Sequence, residues 1–151
     1  MKHQTDDELT HYINKYGCFF MCMIYWFPFK KNAIELTYEQ LNTIWSTAIK
    51  NGIISGDLNH DGDMDDSNEL LILDKEKLLK LAGLSLKYVG SFMAHDYVKN
   101  PGQFYIGEFY NERTKFTHFI AVDENLEIVY DPIENSVTGR EGKIKTVRVF
   151  A

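Results

Sequence analysis

The order of apolar and polar positions divides the chain into two textures. From Thr5 to Gly83 the apolar residues recur at helical spacing. Thr5 to Lys15 reads as a short helix, with Thr5 as its cap, Glu8 at the capping-box position and Leu9, Tyr12 and Ile13 on one face. Gly17 interrupts that pattern, and an unbroken apolar and aromatic run follows from Cys18 to Trp26. A bilayer span needs about 20 residues, so this run is too short to cross one, and it ends at Pro28. It reads as a core helix beginning at or near Cys18. Lys30 to Leu36 is a connection. Thr37 and Gln40 form a second capping box opening a helix through Lys50, with Leu41, Ile44, Trp45 and Ala48 inward and Asn51-Gly52 at its end. Glu69 to Leu81 reads as another helix, stopped by Gly83.

Beyond Gly83 the period shortens to two. Leu86–Phe92, Phe104–Tyr110, Phe116–Asp123, Glu127–Tyr130 and Ile144–Phe150 are short β-branched or aromatic runs separated by Asn, Gly and Pro. Helices followed by strands predict an α+β fold: an N-terminal helical lobe, about residues 5–83, packed on a mainly antiparallel sheet, about residues 86–150. The 151 residues read as a single domain, 1–151, with 44% apolar and 14% aromatic residues to build its core.

The formal net charge of −6 changes the picture once it is located. Six acids and no Lys or Arg lie between Asp57 and Glu69, and the rest of the chain is formally neutral. The acidity is a local site. No basic patch points to nucleic acid, and none is expected as a partner. The N-terminal stretch is polar and lacks the basic start, apolar middle and small-residue cleavage site of a signal peptide. The expectation is a cytoplasmic protein, with release by a phage-type route also compatible.

Candidate chemistry begins at Cys18. The first turn of a helix presents unpaired N–H groups and partial positive charge, which favour a thiolate over a thiol. Cys22, four residues on, would sit about 5–6 Å away between Cβ atoms. That is too far for the roughly 3.8 Å of a disulfide. A thiolate needs a base, and the base needs a third group to orient it. His3 and His11 fall in or before the first helix, His60 in the acidic loop and His95 between strands. His118 differs, because it lies in a predicted central strand followed by the turn Asp123-Glu124-Asn125, a returning strand and Asp131-Pro132. Folding those two strands as a hairpin returns Asp131 to within a residue or two of positions 118–119. Packed core residues remain the bland alternative for both Cys18 and His118.

Gly17-Cys18 opening a helix, Thr117-His118-Phe119-Ile120-Ala121-Val122 on a strand and Val129-Tyr130-Asp131-Pro132 ending the next resemble the papain-like cysteine peptidases, most closely the bacteriocin leader peptidase type. The resemblance implies a papain-like fold in which Cys18 attacks a carbonyl, His118 acts as base and Asp131 orients His118. Such enzymes usually carry a Gln six residues before the nucleophile as an oxyanion donor. Here that position is Tyr12, and Asn14 is the nearest amide able to substitute. The implied activity is hydrolysis of a peptide or amide bond. A peptide or peptidoglycan-like, lysin-type substrate follows by analogy alone. The alternative is a papain-like domain that has lost catalysis and acts as a calcium-dependent binding protein.

The calcium expectation comes from the acidic loop, where Asp57-Leu58-Asn59-His60-Asp61-Gly62 follows the pattern D-x-N-x-D-G. Asp57, Asn59 and Asp61 supply oxygens at loop positions 1, 3 and 5, and Gly62 the turn at position 6. Asp63 offers a carbonyl at position 7 and Asp65 a ligand at position 9. The loop resembles an EF-hand, more closely the short loops of dockerins, with Asn68 where an acidic twelfth ligand is expected. Ca2+ is the expected ion, held by Asp57, Asn59, Asp61, Asp63, Asp65 and Asn68.

Overall fold

A computed structural model describes residues 1–64 and 70–151. Within them the chain forms α1 (His11–Tyr16), α2 (Cys18–Ile24), α3 (Phe27–Lys31), α4 (Tyr38–Lys50), α5 (Lys75–Leu81), β1 (Tyr88–Met93), β2 (Phe104–Asn111), β3 (Phe116–Val122), β4 (Ile128–Tyr130), α6 (Val137–Glu141) and β5 (Lys143–Phe150). The fold is α+β. Its five strands make one antiparallel sheet in the order β1-β5-β2-β3-β4, so the last strand inserts between the first two.

Side chains alternate across the sheet. Ile106, Ala121, Tyr130 and Phe150 join the core shared with the helices. Tyr105, Ile120, Val122, Val147 and Val149 form a second, smaller core with Ala94. Two contacts fix α2 on β3. The Phe19 ring meets the Phe119 ring edge-on with centroids 5.0 Å apart, and Cys22 Sγ donates to the Phe119 carbonyl at 3.4 Å.

The capping box at Thr37 forms as expected, with Thr37 Oγ1 accepting from Gln40 N and Gln40 Oε1 accepting from Thr37 N. Other expectations need correction. The first helix starts at His11, with Thr10 rather than Thr5 at the N-cap position and no side-chain capping bond there. Side chains compete with helical bonding upstream of it. Asp6 Oδ2 accepts from His3 N and Tyr38 Oη, while Asn42 bonds both Glu8 O and Thr10 N. Pro28 does not end the helical region: it sits in the first turn of α3, where a missing N–H costs nothing.

The helix expected from Glu69 instead begins at Lys75, with Asp74 Oδ1 accepting from Lys77 N. Leu70 to Leu73 run alongside Ile53 to Ser55, bonded through Leu70 N to Ser55 O, Ser55 N to Leu71 O and Leu73 N to Ile53 O. Backbone pairing between these two segments takes the place of a helix there. The sequence pattern does not predict the short helix α6.

Candidate active site

Gly17 joins α1 to α2. Its N–H donates to Ile13 O at 2.9 Å, and an added Cβ would lie 2.5 Å from that same oxygen. Only a hydrogen fits, so the two helices meet without a spacer and Cys18 becomes the first residue of α2. Its backbone N–H therefore has no intrahelical acceptor. The half-buried Cys18 lies on the wall of a cleft of about 630 Å³. Cys22 is 0% exposed, and burial first, then the neighbouring Cys18 and Asp131, push its thiol well above the ordinary range. The chain thus carries one accessible and one inert sulfur.

His118 is 1% exposed on β3. Its Nε2 donates to Asp131 Oδ1 at 2.8 Å, and a carboxylate can only accept, which fixes the tautomer. Burial works against protonation of the ring. The hydrogen bond to Asp131 and the neighbouring Cys18 overcome it and push the pKa up to about 9. Cys18 is close enough to act on the imidazole, yet the buried Nδ1 makes no hydrogen bond of ordinary geometry.

Asp131 is fixed on both oxygens. Oδ1 also accepts from Ile133 N at 3.0 Å, and Oδ2 accepts from Ser136 N at 3.2 Å and Ser136 Oγ at 2.6 Å. Burial raises its pKa, but the bonds from His118, Ser136 and Ile133 outweigh it and hold the carboxyl below the usual range. Ser136 is in turn the cap of α6, accepting from Gly139 N at 2.9 Å. The hairpin register pairs Ala121 with Tyr130 across an irregularity at Val122, leaving Asp131 just beyond the paired residues, two residues off the His118 level. The remaining histidines lie elsewhere: His3 stacks on Tyr130, His11 meets Tyr12 edge-on, His60 sits in the acidic loop and His95 lines a separate pocket.

The Asn14 amide is engaged with the backbone of the N-terminal segment. Its Nδ2 donates to Gln4 O at 2.5 Å and Asp6 O at 2.9 Å, so both amide hydrogens hold the N-terminal segment in place. Gln4 is a buried amide that the sequence pattern does not single out. It is 3% exposed, its N–H donates to Pro132 O, and its Nε2 donates to Asn14 O at 3.1 Å, near the α1–α2 junction. One Nε2 hydrogen is left over, and the buried Oε1 has no partner. Lying 14 residues before Cys18, it falls outside any local motif; its pairing with Pro132 is purely tertiary.

The described part of the acidic loop has the turn geometry its sequence implies. Asp57 accepts from Asp61 N at 3.2 Å and Gly62 N at 2.8 Å, Asn59 from Asp61 N at 3.3 Å, and Asp61 from Asp63 N at 2.8 Å. Gly62 has φ +82°, a conformation that favours glycine. Tyr12, at the usual Gln position, donates through Oη to Asp63 Oδ1 at 3.1 Å and accepts from Met64 N at 3.3 Å, tying α1 to this loop. Asp65 and Asn68 lie outside the described residues. Among the described residues no three His, Cys, Asp or Glu side chains converge as a metal cluster. The all-oxygen donor set of Asp57, Asn59, Asp61 and the Asp63 carbonyl suits a hard cation. No described helix is long and apolar enough to cross a membrane.

A family model described as "Protein of unknown function, DUF261" matches residues 1–151. No curated protein and no solved structure matches the chain.

Proposed function

The chain belongs to the DUF261 family, and we propose that it is a papain-like cysteine hydrolase acting on a peptide or amide bond, stabilised by calcium. The observation that carries the reading is the charged relay behind the accessible thiol. A buried imidazole, oriented by a four-times-bonded carboxylate and influenced by Cys18, leaves Nδ1 as the ring nitrogen not otherwise engaged. That arrangement is what nucleophilic catalysis requires.

In this reading the Cys18 proton already rests on His118 Nδ1, as the raised imidazole pKa favours, and the thiolate Sγ attacks the substrate carbonyl carbon. The tetrahedral oxyanion is held by the backbone N–H of Cys18 and by the remaining Nε2 hydrogen of Gln4, in place of Asn14. Collapse breaks the C–N bond, and Nδ1 returns the proton to the leaving amine. Water then attacks the thioester while giving a proton to Nδ1, which keeps it as the thiolate and the acid product separate. Asp131 stays ionised throughout and holds the imidazolium.

Asp57, Asn59, Asp61 and the Asp63 carbonyl would hold calcium, with Asp65 and Asn68 completing the set. The ion would neutralise the loop's acids and stiffen the segment that Tyr12 ties to α1.

The involvement of both Asn14 amide hydrogens with backbone carbonyls favours a second reading, a domain of the same fold that binds peptide without cleaving it. Incubation with a library of blocked peptides, followed by mass spectrometry, separates the two. Cleavage that disappears in Cys18→Ala supports hydrolysis; saturable binding with no cleavage supports the alternative.

A further inference from the structure

The residues following the nucleophile and the base are both phenylalanines, and each carries a cation on its ring. Lys75 Nζ lies 5.9 Å from the centre of Phe19 and 4.7 Å from that of Tyr88. The Arg148 guanidinium lies 5.0 Å from the centre of Phe119. Since Phe19 and Phe119 touch, the four side chains form a continuous stack, Lys75–Phe19–Phe119–Arg148, along the cleft onto which Cys18 opens.

The charges in this stack are unbalanced. Arg148 is 3.5 Å from Glu108 Oε1 and also bonds Thr146. Lys75 has no ion pair among the described residues, although Asp74 is its neighbour in sequence. Burial and then the charge of Arg148 lower its pKa, with Asp74 acting in the opposite direction. None of the described residues lining the cleft is acidic. The rest of the lining is apolar and includes Leu71 and Leu73, which are exposed at 49% and 63%. Large exposed aliphatics beside a pocket mark a binding surface, and a few placed polar groups set its specificity.

We propose that Lys75 and Arg148 form a carboxylate-binding subsite, so that the substrate is a peptide carrying an anionic carboxylate next to an apolar side chain near the scissile bond. The inference rests on the hydrolase reading and deepens it. An acidic side chain and a free C-terminal carboxylate offer the same chemistry, and either would add a counter-charge at Lys75, which has no ion pair among the described residues, while Arg148 keeps Glu108.

Two measurements test it. Calorimetric titration of Cys18→Ala uses blocked peptides pairing Leu with Glu or Gln, each with a free or amidated C-terminus. Tighter binding of Glu over Gln, or of free over amidated peptide, identifies the carboxylate's source. The preference should be about tenfold and should vanish in Lys75→Met, which keeps the apolar stem. In the intact protein, the ratio of Cys18 alkylation by iodoacetate to that by neutral iodoacetamide should fall several-fold in Lys75→Met. Equal binding of all four peptides, with an unchanged alkylation ratio, overturns the subsite and leaves the hydrolase reading standing. A carboxylate preference beside a Cys18 no more reactive than Cys22 overturns the hydrolase reading, and the assignment of the cleft to substrate with it.

Discussion

The Ser136 hydroxyl donates to Asp131 Oδ2 at 2.6 Å while accepting from Gly139 N, so one side chain both caps α6 and orients the carboxylate behind His118. Ser136→Ala removes both bonds. A lost cap costs about 1 kcal/mol, and a lost bond to a charged group adds roughly 1–3 kcal/mol. Urea unfolding should register a destabilisation in that range, and hydrolysis should slow by about tenfold. Gly139→Ala should act similarly, because its Cβ would lie 2.8 Å from Asp131 Oδ2. Unchanged stability and rate in Ser136→Ala would separate α6 from the site.

The pH dependence of stability follows from the same pair. His118 has its pKa raised from 6.5 to about 9 on folding, so its contribution is complete below 6.5 and disappears as pH rises through 9. Asp131 is shifted the other way. Its contribution is complete above its unfolded value of about 3.8 and disappears as pH falls through its lower folded value. Melting temperature should therefore decline from pH 6.5 to 9, and His118→Gln should flatten that decline.

Calcium should raise the melting temperature and a chelator reverse the gain. At 100 times its dissociation constant, calcium would add about 2.7 kcal/mol. Asp57→Ala with Asp61→Ala should abolish the response. Tyr12→Phe should retain the calcium-induced gain but weaken its effect on turnover, because the Tyr12 hydroxyl joins the loop to α1. A melting curve indifferent to chelator would remove the metal.

Gln4→Leu should lower kcat by roughly 10²–10³, the usual effect of losing one oxyanion donor. Cys18 alkylation by iodoacetamide, which forms no oxyanion, should stay near the wild-type rate. A kcat unchanged in Gln4→Leu and lost in Asn14→Leu would restore the role to Asn14.

The order of elements was legible wherever local chemistry and tertiary packing agree. Thr37 and Gln40 cap α4 as their spacing demands, and each predicted strand has a counterpart within about three residues at either end. His118 and Asp131 could be paired because a hairpin is a local structure. What was not legible depends on distant partners. Asn42 and Tyr38 hold the segment before α1 out of a helix, Ser55 takes the backbone bonds of Leu70 and Leu71, and Pro132 accepts from Gln4 N. Asn14 looked suitable by sequence distance from Cys18, yet its amide serves carbonyls 8 and 10 residues upstream. The Ser136 cap before Val137 was a local signal for α6, but five residues of helix give too little periodicity to find it.

The relation between Cys18 and His118 is tested most directly by the rate at which each thiol reacts with iodoacetamide at pH 6–7, followed by peptide mass spectrometry. Cys18 should be labelled rapidly and Cys22 hardly at all, with His118→Ala slowing Cys18 by at least tenfold. Equal, slow labelling of both cysteines, unaffected by His118→Ala, would contradict a paired nucleophile and base.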